Sequence, residues 1–449
     1  MMFIYETIIE GSFVDSLRKT VVFSLRNTEV NRCERGAFVK IFIVADDLTG
    51  ALDTAAQFAA RGISTEILRF PVTSDLAQCR SSVVVLDAQT RHLPASDAYQ
   101  RIYQILKGMF ELGVPLIFKK TDSALRGNVG AELAAMSDAC GGEQVLFFPA
   151  YPQLGRTTIK GVQYIHGVPL NQSAFAQDKL DPVKYSDVCQ ILRQETDLSC
   201  AVIGVEDQEA PESAKVLVFD SETEEQMQRQ VDRFVNPDRP GSCLVAGCAG
   251  LAKMLAPKIP CDRGQESIRF GEKLFVLSGT NHLVSRRQIQ YAVQNGFRQV
   301  GFSIGELTDP AREEAFREKI QTVRSLCESR ENIVVDILQE PAQQREHDPE
   351  DLSRRIVKGL STVLIQCRDV LHGHTLFLIG GDTLGSYMEN CGCQKISVLD
   401  EILPGTPISA FSFDGEQQYV ISKSGGYGEN DVLLQCLNTL SDRKRWTNS

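Results

Sequence analysis

Three aspartates, Asp46, Asp47 and Asp122, share their stretches of chain with five cations: Arg91, Lys119, Lys120, Arg126 and Arg156. Each of these residues stands at or just beyond a short apolar run. Cations so placed suit a small carboxylate or phosphate, and the planar fork of arginine binds either through two parallel hydrogen bonds. A carboxylate beside a hydroxyl takes or orients its proton. Further along, three glycine-bearing turns follow apolar runs: Ser278-Gly279-Thr280, Gly380-Gly381-Asp382-Thr383 and Ser422-Lys423-Ser424-Gly425-Gly426-Tyr427-Gly428. Lacking Cβ, such turns let backbone amides approach a phosphate or a nucleobase edge. Anion clamp, proton-accepting carboxylate and phosphate cradle are together the parts of phosphoryl transfer, which is mostly positioning plus charge stabilisation.

The same residues have plainer readings. Asp46 and Asp47 also suit the N-cap of a helix starting near Thr49. Lys119 and Lys120 also fit a solvated strand end, and Asp122 with Arg126 a local ion pair, worth little if exposed. The six histidines are scattered, and each reads as a packed or surface residue before it reads as a metal ligand.

The elements that must position these groups follow from periodicity. Residues 40–45 form a short β-rich run that stops at Asp46-Asp47, and Leu52, Ala55, Ala56 and Ala59 then fall at helical spacing. Strands are expected over 63–68, 83–86, 115–118 and 145–148, with helices over 99–109 and 127–135 between them. Strands alternating with helices mean parallel βαβ units, whose ligands sit beyond the carboxyl ends of the strands. The runs near 45, 86, 118 and 148 all end in polar, charged or glycine-containing residues, so one edge should carry the site. A second block has strand candidates at 216–219, 243–246, 274–277, 333–337, 375–379 and 419–421. The expectation is an α/β chain of two domains, each a mostly parallel sheet flanked by helices, with the active site in the interdomain cleft. Residues 39–256 make the substrate domain, 257–273 a Pro-, Gly- and charge-rich linker, 274–440 the nucleotide domain and 441–449 a tail. Residues 1–38 follow no sustained period and read as a poorly ordered extension.

Composition excludes several functions. At 449 residues the chain is long enough for two or three domains. It has 47 Lys and Arg against 58 Asp and Glu, a net charge of −11, which repels polyphosphate backbones and argues against a nucleic-acid partner. The apolar runs are far shorter than the ~20 residues that span a bilayer, so no membrane partner is expected. Thirteen cysteines, an odd number without paired knuckles, read as reduced thiols of a cytoplasmic protein; no metal ligand is assigned. No G-x-x-x-x-G-K-[ST] occurs, and no G-x-G-x-x-G opens a helix after the first strand, which speaks against a Walker-type ATPase and a dinucleotide dehydrogenase.

Several of these stretches resemble the four-carbon acid sugar kinase family. They are Ala45-Asp46-Asp47-Leu48-Thr49-Gly50-Ala51, Arg91-His92-Leu93-Pro94, Lys119-Lys120-Thr121-Asp122-Ser123-Ala124-Leu125-Arg126-Gly127 and Gly155-Arg156-Thr157-Thr158, with Gly380-Gly381-Asp382-Thr383, Pro404-Gly405 and Lys423-Ser424-Gly425-Gly426-Tyr427-Gly428 in the second half. The resemblance runs from about residue 39 to 440. It implies an N-terminal acid-sugar domain, a C-terminal nucleotide domain and ATP-dependent phosphorylation of the 4-hydroxyl of threonate, erythronate or 3-oxotetronate, D-threonate being favoured. Carried over by motif, Asp46 or Asp47, Arg91, Lys119, Lys120, Thr121 and Asp122 contact the substrate. Ser278, Gly380, Gly381, Asp382, Thr383 and Gly425 or Gly426 contact ATP, with Gly405 and Lys423 in motifs of the same side. Two departures fall there: Gly279-Thr280-Asn281-His282 replaces a Gly-Ser form, and Asp382 stands where the family commonly has Glu. In this reading Arg91 and one lysine clamp the substrate carboxylate, Asp47 or Asp122 orients the attacking hydroxyl and is the candidate to deprotonate it, and Mg²⁺ neutralises the triphosphate. The rivals are a sugar-acid oxidoreductase or aldolase using the same clamp, and a sensor that binds the acid without releasing ADP.

Overall fold

The computed structural model describes residues 39–71, 79–178, 181–238, 242–264, 268, 270–338 and 349–443. The extension expected over 1–38 lies outside them. The chain divides into two compact units, Met1–Arg263 and Gly264–Ser449.

The first unit contains strands β1 (Ile41–Ala45), β2 (Thr65–Arg69), β3 (Val83–Asp87), β4 (Leu116–Lys120), β5 (Val145–Phe148), β6 (Arg156–Ile159), β7 (Val162–Ile165), β8 (Val168–Pro169), β9 (Cys200–Ile203), β10 (Val216–Phe219) and β11 (Cys243–Gly247). Eight of them lie in the order β2-β3-β1-β4-β11-β5-β10-β9, every neighbouring pair parallel. A parallel sheet is covered on both faces, and β1, β3 and β4 are accordingly buried at every position. Phe42, Val44, Val84, Leu86 and Ile117 pack on one face with Ile102, Ile105 and Leu106 of the helix Ala95–Glu111 and Leu133 and Met136 of the helix Val129–Ala139. The helices Leu48–Ala59 and Ala249–Leu255 pack together on the other side. The helix after β1 thus lies on one face, and those after its neighbours β3 and β4 on the opposite face. Such a reversal opens a crevice at the strand carboxyl ends. It falls at Asp46 and Asp47.

Past β5, the strands β6, β7 and β8 form a small antiparallel meander that the sequence reading did not include. The segment after Ala256 stays bonded to this unit: Asp262 accepts from Ser64 N (2.6 Å), Ser64 Oγ (2.6 Å) and Ser82 Oγ (2.7 Å).

The second unit holds β12 (Lys273–Ser278), β13 (Arg298–Phe302), β14 (Ile333–Ile337), β15 (His374–Ile379), β16 (Lys395–Leu403), β17 (Thr406–Phe413) and β18 (Glu416–Lys423). Their order is β13-β14-β12-β15-β18-β17-β16, parallel through β18 and antiparallel beyond it. The antiparallel end follows from a tight turn at Asp414-Gly415, where both residues have positive φ (51° and 77°) and match the right-handed twist of a hairpin. The mostly parallel α/β architecture agrees with the sequence reading.

One expectation is corrected. The thiols read as uniformly reduced, whereas Cys189 and Cys200 form a disulfide. The short helix Val188–Leu192 and β9 bring the two Cα atoms within 5.8 Å, a proximity that an 11-residue separation does not signal. No helix among the described residues is long and apolar enough to cross a membrane.

Candidate active site

The turn after β1 combines cap and charge. Asp47 is the N-cap of the helix Leu48–Ala59, its Oδ1 accepting from Gly50 N at 2.7 Å, while its Oδ2 faces Arg91 Nη1. Cap and site readings therefore hold together for this residue. The Asp46 carbonyl accepts from Thr90 N (3.0 Å) and Arg91 N (3.3 Å), pinning the loop after β3 to the end of β1. The Asp46 carboxylate accepts from Arg91 Nε (2.8 Å) and lies 2.7 Å from Nη2. Arg91 also lies 3.8 Å from Asp122. Asp122 in turn accepts from Arg126 Nε (2.9 Å) and Nη2 (3.0 Å) and from the backbone amide of Ala124 (3.1 Å), and Arg126 reaches Asp178 at 3.0 Å.

Burial raises the proton affinity of all three aspartates, and their partners decide the outcome. For Asp122 the guanidinium groups of Arg126 and Arg91 outweigh burial and hold the carboxyl far below its usual range. For Asp46, Arg91 and the two lysines also outweigh burial, and its carboxyl is lowered. Asp47 goes the other way: burial and the adjacent Asp46 charge outweigh Arg91, and its carboxyl is pushed up. Its side chain is 26% exposed, against 3% for Asp46 and 11% for Asp122. Asp47 is the carboxylate with both access and appetite for a proton.

The adjacent lysines part company, because successive side chains of a strand point to opposite faces. Lys119 Nζ is buried on the face covered by the helix Val129–Ala139, bonded to Lys120 O (2.7 Å) and paired with Glu132 Oε2 at 3.0 Å. Lys120 points the other way, its Nζ donating to Thr121 O at 2.8 Å. A Cβ on Gly50 would stand 2.6 Å from Lys120 Nζ and 2.8 Å from Asp47 Oδ1, so glycine there admits the ammonium to the helix start. The Thr121 hydroxyl is buried without a partner, and Thr121 N donates to Gly247 O (2.8 Å), fixing this loop to β11. Arg156 begins β6. Its Nη1 donates to Leu154 O (2.9 Å), its buried Nε has no acceptor, and its guanidinium lies 5.8 Å from the centre of the Phe175 ring.

In the second unit the glycine turns meet. Thr383 Oγ1 lies 2.6 Å from where a Cβ on Gly279 would be, and Thr280 Oγ1 lies 2.7 Å from the same point on Gly425. Gly380 has φ +102° and precedes the helix Gly381–Asn390, whose first turn carries exposed Asp382 and buried Thr383. Ser278 Oγ and Ser422 Oγ are buried with no partner. Lys423 Nζ donates to Ser424 O (2.7 Å), and burial brings its ammonium down to about 8. Gly426 abuts the His282 ring, and Gly405 abuts the ring of Tyr427. Among the described residues no group of three or more His, Cys, Asp or Glu forms a metal site.

Three supporting residues were missed from the sequence. Glu132 bonds both Lys119 and Thr90. Asn128 Nδ2 donates to Thr90 O (3.0 Å) and Leu93 O (2.8 Å), holding the Arg91 loop from below. Gln288 Nε2 donates to the carbonyls of Tyr427 (2.9 Å), Gly428 (2.7 Å) and Glu429 (3.0 Å), shaping the last glycine turn. Each makes at least one bond across more than 30 residues, and no local motif marks it.

Known proteins agree with this division. A sugar-binding N-terminal domain model matches residues 41–255 and a nucleotide-binding C-terminal domain model matches 275–433. The chain is 27% identical over 426 residues to a D-threonate kinase of Salmonella typhimurium, covering 89% of this chain and 98% of that one. It is 25% identical over 436 residues to a D-erythronate kinase of Heliobacterium modesticaldum (89% and 97% covered) and 24% over 426 to a 3-oxo-tetronate kinase of Burkholderia multivorans (88% and 96%). A solved Salmonella typhimurium LT2 structure, described as a putative tRNA synthase, shares the fold at a TM-score of 0.73 and 22% identity, with 88% and 98% covered. The class these matches define is a phosphotransferase with a hydroxyl group as acceptor. The chain belongs to the four-carbon acid sugar kinase family. The oxidoreductase, aldolase and sensor readings are set aside, since these relatives are kinases.

Proposed function

We propose that this protein transfers the γ-phosphoryl group of ATP to the 4-hydroxyl of a four-carbon acid sugar, with D-threonate favoured over D-erythronate and 3-oxotetronate. The observation that carries the reading is the contrast among the three carboxylates. Asp122 is held ionised by two arginines, whereas Asp47, more accessible and with raised proton affinity, is poised to accept a proton. In this mechanism Asp47 takes the proton of the attacking hydroxyl as the oxygen bonds to phosphorus. Lys120, whose ammonium reaches the helix start beside Asp47, offsets the charge that builds on the transferring group. On the donor side, Ser278, Gly380, Gly381, Thr383, Gly405, Gly425 and Gly426 cradle the nucleotide, and Lys423 contributes charge to its phosphates. The unpartnered hydroxyls of Ser278 and Ser422 fit a ligand with many acceptors.

Mg²⁺ fits the same side without a dedicated cage, because it binds through nucleotide phosphates, water and one or two carboxylates. Asp382, exposed in the first turn of its helix, is the carboxylate these turns offer. Bound there, the ion would neutralise phosphate charge.

The D-threonate preference rests on the relatives: a D-threonate kinase is 27% identical, against 26% for a 3-oxo-tetronate kinase and 25% for a D-erythronate kinase. A coupled assay of ADP release with D-threonate, D-erythronate and 3-oxotetronate, with and without Mg²⁺, tests the proposal. Mg²⁺-dependent release, fastest with D-threonate, is expected. No release above background with any of the three overturns it.

A further inference from the structure

The arginine first matched to the substrate carboxylate is already occupied. Arg91 faces Asp46, Asp47 and Asp122, and Arg126 faces Asp122 and Asp178. Two guanidinium groups thus stand among four carboxylates, and both are already engaged. Arg156 differs. Among the described residues no carboxylate pairs with it; its one hydrogen bond goes to Leu154 O (2.9 Å), and its buried Nε–H has no acceptor. A buried donor left unmade costs free energy, which an arriving acceptor recovers.

Arg156 is linked to the site through an aromatic ring: its guanidinium lies 5.8 Å from the Phe175 ring centre, and that of Arg126, which pairs with Asp122, lies 5.2 Å from the same centre. Arg156 also helps pull back the Cys248 thiol, which burial raises, just past the end of β11. The edge therefore has a direction: carboxylates at the end of β1, and an arginine without a carboxylate partner past the end of β5.

We propose that Arg156 binds the carboxylate of the acid sugar and so turns its far hydroxyl toward Asp47. This rests on the kinase reading above and sets which end of the substrate lies where. A four-carbon acid has its carboxylate and its 4-hydroxyl at opposite ends, matching the two ends of this edge. A tetritol, a neutral four-carbon polyol, presents alcohols at both ends and leaves the Arg156 donors unmet, so the same residue sets the preference for acids over polyols.

Arg156→Met and Arg156→Lys, compared with wild type, test this by kinetics with the acid that wild type turns over and with threitol and erythritol. Arg156→Met should raise KM for the acid roughly a hundredfold, leave KM for ATP unchanged and erase most of the preference for acid over tetritol. Arg156→Lys should recover part of it. The melting temperature of the ligand-free variant should not fall, since no ion pair is lost, but the acid should no longer raise it. An Arg156→Met enzyme that keeps wild-type KM and wild-type preference overturns the proposal. If wild type releases no ADP with any acid, the kinase reading fails on its own. The carboxylate assignment is then judged by melting alone, and an acid that stabilises wild type and Arg156→Met equally overturns it.

Discussion

Lys119 Nζ lies 3.0 Å from Glu132 Oε2, and both side chains are sealed from water. Glu132 also accepts from the Thr90 hydroxyl, next to Arg91, so one buried carboxylate ties β4 to the loop that carries the arginine. Removing one partner of a buried pair leaves the other charge uncompensated. Glu132→Ala should therefore cost about 3–5 kcal/mol of stability, read as a lower urea midpoint. The double replacement Lys119→Met with Glu132→Leu should restore most of it, because apolar side chains need no partner there. A double variant no more stable than Glu132→Ala would contradict this account.

The sheet of the first unit is legible because its strands are short continuous runs such as Ile41-Phe42-Ile43-Val44, bounded by turns and alternating with helical stripes. That pattern also places Asp46, Asp47, Lys120 and Asp122 on one edge without any contact being known. Single-sequence reasoning leaves Lys119 and Lys120 equivalent; the pleat separates them, and only the helix Val129–Ala139 reveals that Lys119 has a private partner. Arg91 illustrates the same limit, since its motif gives the residue type but not that Asp46 and Asp47 saturate it. Of the β16–β17–β18 meander only residues 419–421 are anticipated, and the rest is missed for a different reason. Its strands carry polar residues such as Glu416, Gln417 and Gln418, which hide the alternation, although Asp414-Gly415 is a readable hairpin turn.

Asp47→Asn keeps an oxygen to accept from Gly50 N and so retains the helix cap, but it cannot take a proton. Turnover should fall by roughly 10²–10⁴-fold with KM for ATP little changed. In wild type the rate should decline as pH falls through the raised Asp47 value, because the base must be ionised, and this acid limb should be missing from the residual activity of the variant. Wild-type turnover in Asp47→Asn would remove this residue from the chemistry.

Asp87, at the end of β3, is pushed by burial up to about 6, against which Arg69 at 3.2 Å pulls only in part. A carboxyl whose folded value is raised favours folding fully below its unfolded value of 3.8, and that contribution is lost as pH rises through about 6. The change across this window is about 3 kcal/mol. Asp87→Asn should remove it, so the difference in urea stability between variant and wild type should grow between about pH 4 and about pH 7 in favour of the variant. A constant difference over that range would show that Asp87 is not the titrating group.

Lys423 gives the donor side a pH dependence of the same origin, burial, acting on a cation. Burial brings its ammonium down to about 8, with Ser424 O accepting one of its protons at 2.7 Å. Above that value the free protein holds a neutral amine, and a triphosphate must recover the proton to gain the charge. The dissociation constant for ATP should therefore weaken up to about tenfold per pH unit above 8, with proton uptake visible as a buffer-dependent heat in calorimetry. Lys423→Arg, charged throughout, should flatten this dependence, and Lys423→Met should bind weakly at every pH without a step. Equal ATP affinity for wild type at about pH 7.5 and about pH 9.5 would mean that the nucleotide phosphates do not meet this side chain.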